Sequence, residues 1–180
     1  MRLIRSIATV GVYTIASRIF GFFRTSMMAN YLGAGPMADA LVIAIKIPSV
    51  MRRVFAEGAF NAAFVPLFAG ILAKEGADEA RFYAECIFSL LVLILSVLTL
   101  LAIFFMPDIM PYVVSGFSKT PERMAYVITF TQITFPFILF ISVCALYSGM
   151  LNSLEKFAAA ASSPMFGNIA IISVAYFLIV

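Results

Sequence analysis

Five long apolar stretches, 4–32, 38–72, 86–106, 125–151 and 158–180, follow one another along the chain, separated by short clusters of glycine, proline and charge. A helix needs about 20 predominantly apolar residues to cross the hydrocarbon core of a bilayer. The pattern therefore predicts an all-α, polytopic transmembrane helix bundle of five spans. The first stretch begins after Arg2 and Arg5 in the manner of a secretory signal. It then runs on through Arg18 and Arg24 to the turn Gly33-Ala34-Gly35-Pro36, far beyond the apolar core of about 7–15 residues that a signal carries. The second stretch, 35 residues long, would measure about 52 Å as a straight helix against a hydrocarbon thickness of about 30 Å. Pro48, Gly58 and Pro66 inside it predict a bend or an unwound segment, because proline withdraws a backbone donor and its ring clashes one turn back.

Residues 73–85, AKEGADEARFYAE, carry two basic and four acidic side chains around Gly76 and read as an extramembrane loop or a short surface helix. The next 21 residues, 86–106, are uncharged and rich in Leu, Ile and Val, and Pro107-Asp108 is expected to close that span. Pro107, Pro111, Gly116 and Pro121 then mix with Asp108, Lys119, Glu122 and Arg123 before the uncharged stretch 125–151, which contains Pro136. Asn152 to Lys156 form a polar connector, and the fifth stretch stays apolar to its last residue. An apolar end without the polar anchor that usually holds a last helix at the interface predicts a part of a longer chain.

Composition sharpens the reading. The chain is 63% hydrophobic and 12% charged, with a mean hydropathy of +1.07, whereas a soluble domain carries about 25% charged residues. Histidine is absent and the two cysteines, Cys86 and Cys144, sit in or beside apolar runs. No imidazole base, histidine metal site or disulfide framework is on offer, so neither enzymatic chemistry nor a cofactor or metal is expected. The net charge of +3 is mild and forms no soluble basic face, so no nucleic-acid partner is expected. Lys and Arg fall five to two on alternate sides of the five spans, with Arg2, Arg5, Lys74, Arg81 and Lys156 against Lys119 and Arg123. The positive-inside rule then puts the N terminus in the cytoplasm.

The charges that matter lie inside the first two stretches: Arg18, Arg24, Asp39, Lys46, Arg52, Arg53 and Glu57. Each costs at least about 2.5–3.5 kcal/mol at the bilayer centre. On a helical wheel, Thr14, Ser17, Arg18, Gly21, Arg24, Thr25 and Met28 share one stripe about 120° wide. On the second helix Asp39, Lys46, Arg53 and Glu57 lie within about 20° of one line and Arg52 about 120° away, with Pro48 interrupting the phase. A single arginine in such a place is best read as snorkelling to an interface, and Arg53 with Glu57 as a local i, i+4 pair. Five cations against two anions on adjacent helices tip the balance toward a water-filled cavity with a net charge of +3. Planar, permanently charged guanidinium groups there suit phosphate oxygens. Ser142, Ser148, Asn152 and Asn168 on later helices read as interhelical glue rather than ligand contacts. Gly11 and Gly21 permit close helix approach or bending, and Asp78 with Glu79 reads as a solvated pair without acid/base work.

The run Ser17-Arg18-Ile19-Phe20-Gly21-Phe22-Phe23-Arg24, the turn Gly33-Ala34-Gly35 followed by Ala38-Asp39-Ala40, and RRVFAEGAFNAAFVP at 52–66 closely resemble the N-terminal part of the MurJ/MviN lipid II flippase family. TFPFILFIS at 134–142 and LNSLEKFAAAASSPMFGNI at 151–169 look like its fourth and fifth helices, so the resemblance covers nearly the whole chain. It implies a two-lobed transporter of the multidrug/oligosaccharidyl-lipid/polysaccharide exporter superfamily, with residues 1–180 supplying about five helices of the first lobe. The remaining helices are then expected in the same or a second chain. The implied activity is movement of the undecaprenyl-pyrophosphate-linked peptidoglycan precursor, lipid II, across the cytoplasmic membrane by alternating access, with lipid II and membrane lipids as partners.

The resemblance assigns Arg18, Arg24 and Arg52 to the cationic cavity, places Asp39 among its polar residues, and sets Gly21 and Glu57 near a periplasmic gate. Ser17 joins the substrate-binding set from the stripe it shares with Arg24. The wheel favours Arg53 where the resemblance favours Arg52, and both stay candidates. Many relatives carry Asp where this chain has Thr25, which leaves the site more cationic. The rival readings are an exporter of another lipid-linked saccharide or a drug, and a non-transporting membrane scaffold or inactive fragment.

Overall fold

The computed structural model describes residues 2–33, 35–52, 59–117 and 120–179. Among them the chain is helical and contains no strand, as the apolar periodicity predicts. The helices are α1 (Arg2–Leu32), α2 (Pro36–Arg52), α3 (Ala59–Lys74), α4 (Ala77–Val113), α5 (Pro121–Thr134), α6 (Phe137–Ser153) and α7 (Phe157–Ile179), with a 3-10 turn at Ser115–Phe117. Their starts and stops follow local chemistry. Proline opens both α2 and α5, where its missing N–H would have had no helical partner, and Asp39 and Glu122 in the first turns complement the helix dipole. At the other ends, α1 stops at Gly33 (φ 63°) and α3 at Gly76 (φ 97°), left-handed positions that only glycine takes without steric strain.

Three segments among the described residues are long and apolar enough to cross a membrane: Ala77–Val113, Pro121–Ser153 and Phe157–Phe177. Leu93, Leu100, Phe104, Phe140 and Phe177 on their outer faces are all more than 60% exposed, an arrangement at home in lipid and not in water. The chain is a multi-pass membrane protein. At 31 residues α1 is also long enough to cross, about 46 Å, but its arginines make it less apolar.

The expectation that Pro107 closes a helix is corrected: α4 runs on through Pro107 and Pro111 to Val113. Proline in a helix leaves the carbonyl four residues earlier without its donor. For Pro107 that carbonyl belongs to Ile103, and Nε2 of Gln132 on α5 donates to it at 3.0 Å. The same repair occurs at Pro48 in α2. There the orphaned carbonyl is that of Ala44, and the Thr134 hydroxyl donates to it at 2.9 Å, sharing its one proton with the Phe130 carbonyl at the same distance. A neighbour's side chain thus lets each helix carry a proline. No such continuity holds in the stretch 125–151, which divides into α5 and α6 at Phe135-Pro136, where Ile138 N–H donates to the Phe135 carbonyl at 3.0 Å in a tight turn. Most of the polar segment 73–85 forms the first turns of α4, where Arg81 pairs with Glu85 at 2.8 Å. The bend expected near Gly58 lies outside the described residues.

The helices fall into two compact units, Met1–Gly33 with Tyr147–Val180, and Ala34–Leu146. In the first, α1 packs along α7. In the second, α5 packs on both α2 and α4, and α3 on α4. The core of the second unit gathers Ala40, Met106, Met110, Met124, Val127, Phe135 and Ile138. Ala40 and Ala44, both fully buried, keep the α2 surface small enough for α5 to approach the Ala44 carbonyl. At the other edge Phe64 stacks on Phe68 and Tyr83 with ring centroids 5.6 and 5.8 Å apart.

Replacing Gln132 by Leu keeps apolar volume but returns the Ile103 carbonyl to its orphaned state. The variant is expected to lose about 1–2 kcal/mol, read as a lower thermal midpoint in detergent micelles. An unchanged midpoint would show that the proline in α4 needs no donor from α5.

Candidate functional site

The polar stripe expected on α1 meets a partner on α7. Arg24 is partly buried, and its Nη1 donates to Oδ1 of Asn168 at 3.0 Å. The other end of the same amide turns back to α1: Nδ2 donates to the Ser17 carbonyl at 3.1 Å and lies 3.4 Å from the Ser17 hydroxyl. Ser17 and Arg24 stand two turns apart on α1, so one side chain of α7 bridges both. Gly21 sits between them, and a methyl group there would lie 3.6 Å from Asn168 Nδ2, an ordinary contact. Position 21 therefore has room for a methyl group beside the amide.

The acceptor facing Arg24 is neutral. A guanidinium carries five N–H donors and one full charge, and only one donor is taken by Asn168. The Thr25 hydroxyl is spent on the Gly21 carbonyl at 2.9 Å, and the Thr14 hydroxyl on the Val10 carbonyl at 2.8 Å. Arg18 is exposed on α1. Beside this bridge, Phe20, Phe23, Ser26, Met27 and Asn30 of α1 and Ile172 of α7 line a mostly apolar cleft of about 420 Å³.

The remaining residues singled out in the sequence divide as follows. Ser17, Arg18, Gly21 and Arg24 lie in the first unit, Asp39 and Arg52 in the second. Asp39 is exposed and faces Nη1 of Arg123 at 3.8 Å, an ion pair in which both side chains remain about half exposed. Such a pair contributes at most about 1 kcal/mol. Arg52 ends α2, while Arg53 and Glu57 lie outside the described residues. Lys46, placed by the wheel on the Asp39 line, is exposed.

Sequence reasoning ranked Asn168 as glue between helices, which it is, without seeing that the group it glues is Arg24. The available signal was a lone amide in an otherwise apolar helix. Arg123 as the partner of Asp39 was missed because a charge near a turn carries no pairing information.

Gly21→Ala is expected to preserve the bridge and raise helix stability by about 0.5–1 kcal/mol. Gly21→Leu drives a branched side chain against the Asn168 amide and is expected to cost about 1–3 kcal/mol. Thermal unfolding of the two variants should therefore shift in opposite directions.

A family model described as lipid II flippase MurJ matches residues 28–180. A protein of Rhizobium meliloti (strain 1021) named "Probable lipid II flippase MurJ" is 44% identical over 97% of this chain and 33% of its own length. One of the same name from Rhizobium tropici is 42% identical over 99% of this chain and 34% of its own. The "Lipid II flippase MurJ" of Burkholderia cenocepacia is 35% identical, again over 99% and 34%. The chain thus spans about a third of the length of the curated relatives it matches. With identity running through nearly all of its length, and with a polar arginine bridge set among membrane helices, the chain belongs to the lipid II flippase MurJ family.

Proposed function

We propose that this chain is the N-terminal part of a transporter that moves lipid II from the inner to the outer leaflet of the cytoplasmic membrane by alternating access. The observation that supports this reading best is Arg24, a partly buried cation held at 3.0 Å by a neutral amide. Its remaining donors and undiminished charge suit a pyrophosphate, since charge-assisted hydrogen bonds are about twice as strong as neutral ones. In this reading residues 1–180 form part of one lobe of a two-lobed protein, and the rest of the transporter completes the cavity. The N terminus is cytoplasmic, in keeping with the excess of Lys and Arg on that side.

The polar headgroup enters from the cytoplasmic side while its prenyl tail stays in lipid. Arg18, Arg24 and Arg52 receive the pyrophosphate and sugar, with Ser17, Asp39 and Arg53 beside them and Gly21 and Glu57 near the outer gate. The work is translocation, with no bond made or broken, so the protein is no enzyme and needs no cofactor. Its partners are lipid II and membrane lipids, and nucleic acid is not among them. Anion binding shifts the inward and outward populations only if the arginines hold it differently in the two states. The membrane potential, worth about 2.3 kcal/mol per elementary charge per 100 mV, acts on the empty cationic carrier as it resets.

The test is translocation of fluorescent lipid II in liposomes by a chain extended to the full length of its relatives. Arg24→Glu is expected to abolish flipping and lower lipid II affinity about 10- to 100-fold, with membrane insertion unchanged. Retained flipping by Arg24→Glu would sink the assignment. Selective transport of another lipid-linked saccharide would move the reading to an exporter of that substrate.

A further inference from the structure

We propose that Asn168 is a positioning residue for Arg24, one that aims the guanidinium at its ligand without cancelling any of its charge. The proposal rests on the reading of Arg24 as the residue that receives a phosphate-bearing headgroup. Its ground is the bridge itself. Arginine offers only donors and a backbone carbonyl only an acceptor, so the Ser17 carbonyl fixes the amide with Nδ2 toward α1 and Oδ1 toward Arg24. The orientation of Asn168 is therefore set by chemistry at both ends. The amide in turn fixes Nη1, leaving the other donors of the guanidinium for a ligand.

The identity of the holder matters. Aspartate has nearly the same shape and would grip Arg24 more tightly, but its carboxylate would neutralise the charge that an anion needs. Leucine would fill the volume and leave the long arginine side chain to wander among rotamers, an entropy that binding would then have to recover. Asparagine alone of the three restrains the side chain and keeps its charge available. A purely structural contact ranks the variants by the helix–helix link alone, where aspartate exchanges a stronger hold on Arg24 for the lost Nδ2 donor to the Ser17 carbonyl.

The experiment measures equilibrium binding of fluorescent lipid II to the full chain in lipid nanodiscs, together with thermal midpoints, for wild type, Asn168→Asp, Asn168→Leu, Arg24→Gln and the double variant Arg24→Gln/Asn168→Leu. Asn168→Asp is expected to move the midpoint little, its tighter grip on Arg24 offsetting the lost donor to the Ser17 carbonyl, and to weaken binding more than about tenfold. Asn168→Leu is expected to lower the midpoint and to weaken binding about threefold to tenfold. In the Arg24→Gln background the leucine should add no further loss, since the group it positions is gone. Binding within twofold of wild type in both single Asn168 variants, with Arg24→Gln impaired, overturns the positioning role alone. Equal binding by wild type and Arg24→Gln, or binding by neither, overturns the reading of Arg24 and this proposal with it.

Discussion

In hydrocarbon, every backbone N–H and C=O must find a partner within the protein, because no water is there to supply one. The second unit is organised around that constraint. Its helices α2 and α4 carry prolines well inside their lengths, and each proline strips a carbonyl of its donor. For Pro107 and Pro48 the donors come from α5, with Gln132 serving Ile103 and Thr134 serving Ala44. The polar residues of α5, otherwise a weakness in a membrane helix, let α2 continue past Pro48 and α4 past Pro107.

The same accounting explains the first unit, with a charge in place of a carbonyl. A guanidinium on a membrane helix is tolerated where it faces polar partners or water. The α1–α7 seam gives Arg24 a partner that is polar and uncharged, so the helix pair is joined while the cation stays a cation. A carboxylate in its place would hold Arg24 more firmly but would neutralise it and lose the hydrogen bond to the Ser17 carbonyl. The neutral bridge avoids both losses, and the absence of a carboxylate at Thr25 is consistent with it.

What could be read in the sequence was whatever breaks an apolar background. Arg18, Arg24, Gly21 and Ser17 stood out because charges and small polar residues recurring on one face of a 3.6-residue helix are improbable in lipid. The all-α class followed from the same runs. What could not be read was pairing between helices: Asn168 with Arg24 spans 144 positions and Thr134 with Ala44 spans 90. Periodicity is a local quantity, and these contacts are set by packing. For the same reason Pro107 looked like a terminus. A proline ends a helix in isolation, and only the arrival of Gln132 from another helix shows why this one continues.

That dependence on α5 has a temporal side. The chain is made from its N terminus, so α2 and α4 emerge before the residues that complete their hydrogen bonding. Until Pro121–Thr134 has entered the bilayer, Ala44 and Ile103 have no donor from the finished fold. The insertion of α5 is thus the step that completes the hydrogen bonding of two helices made before it.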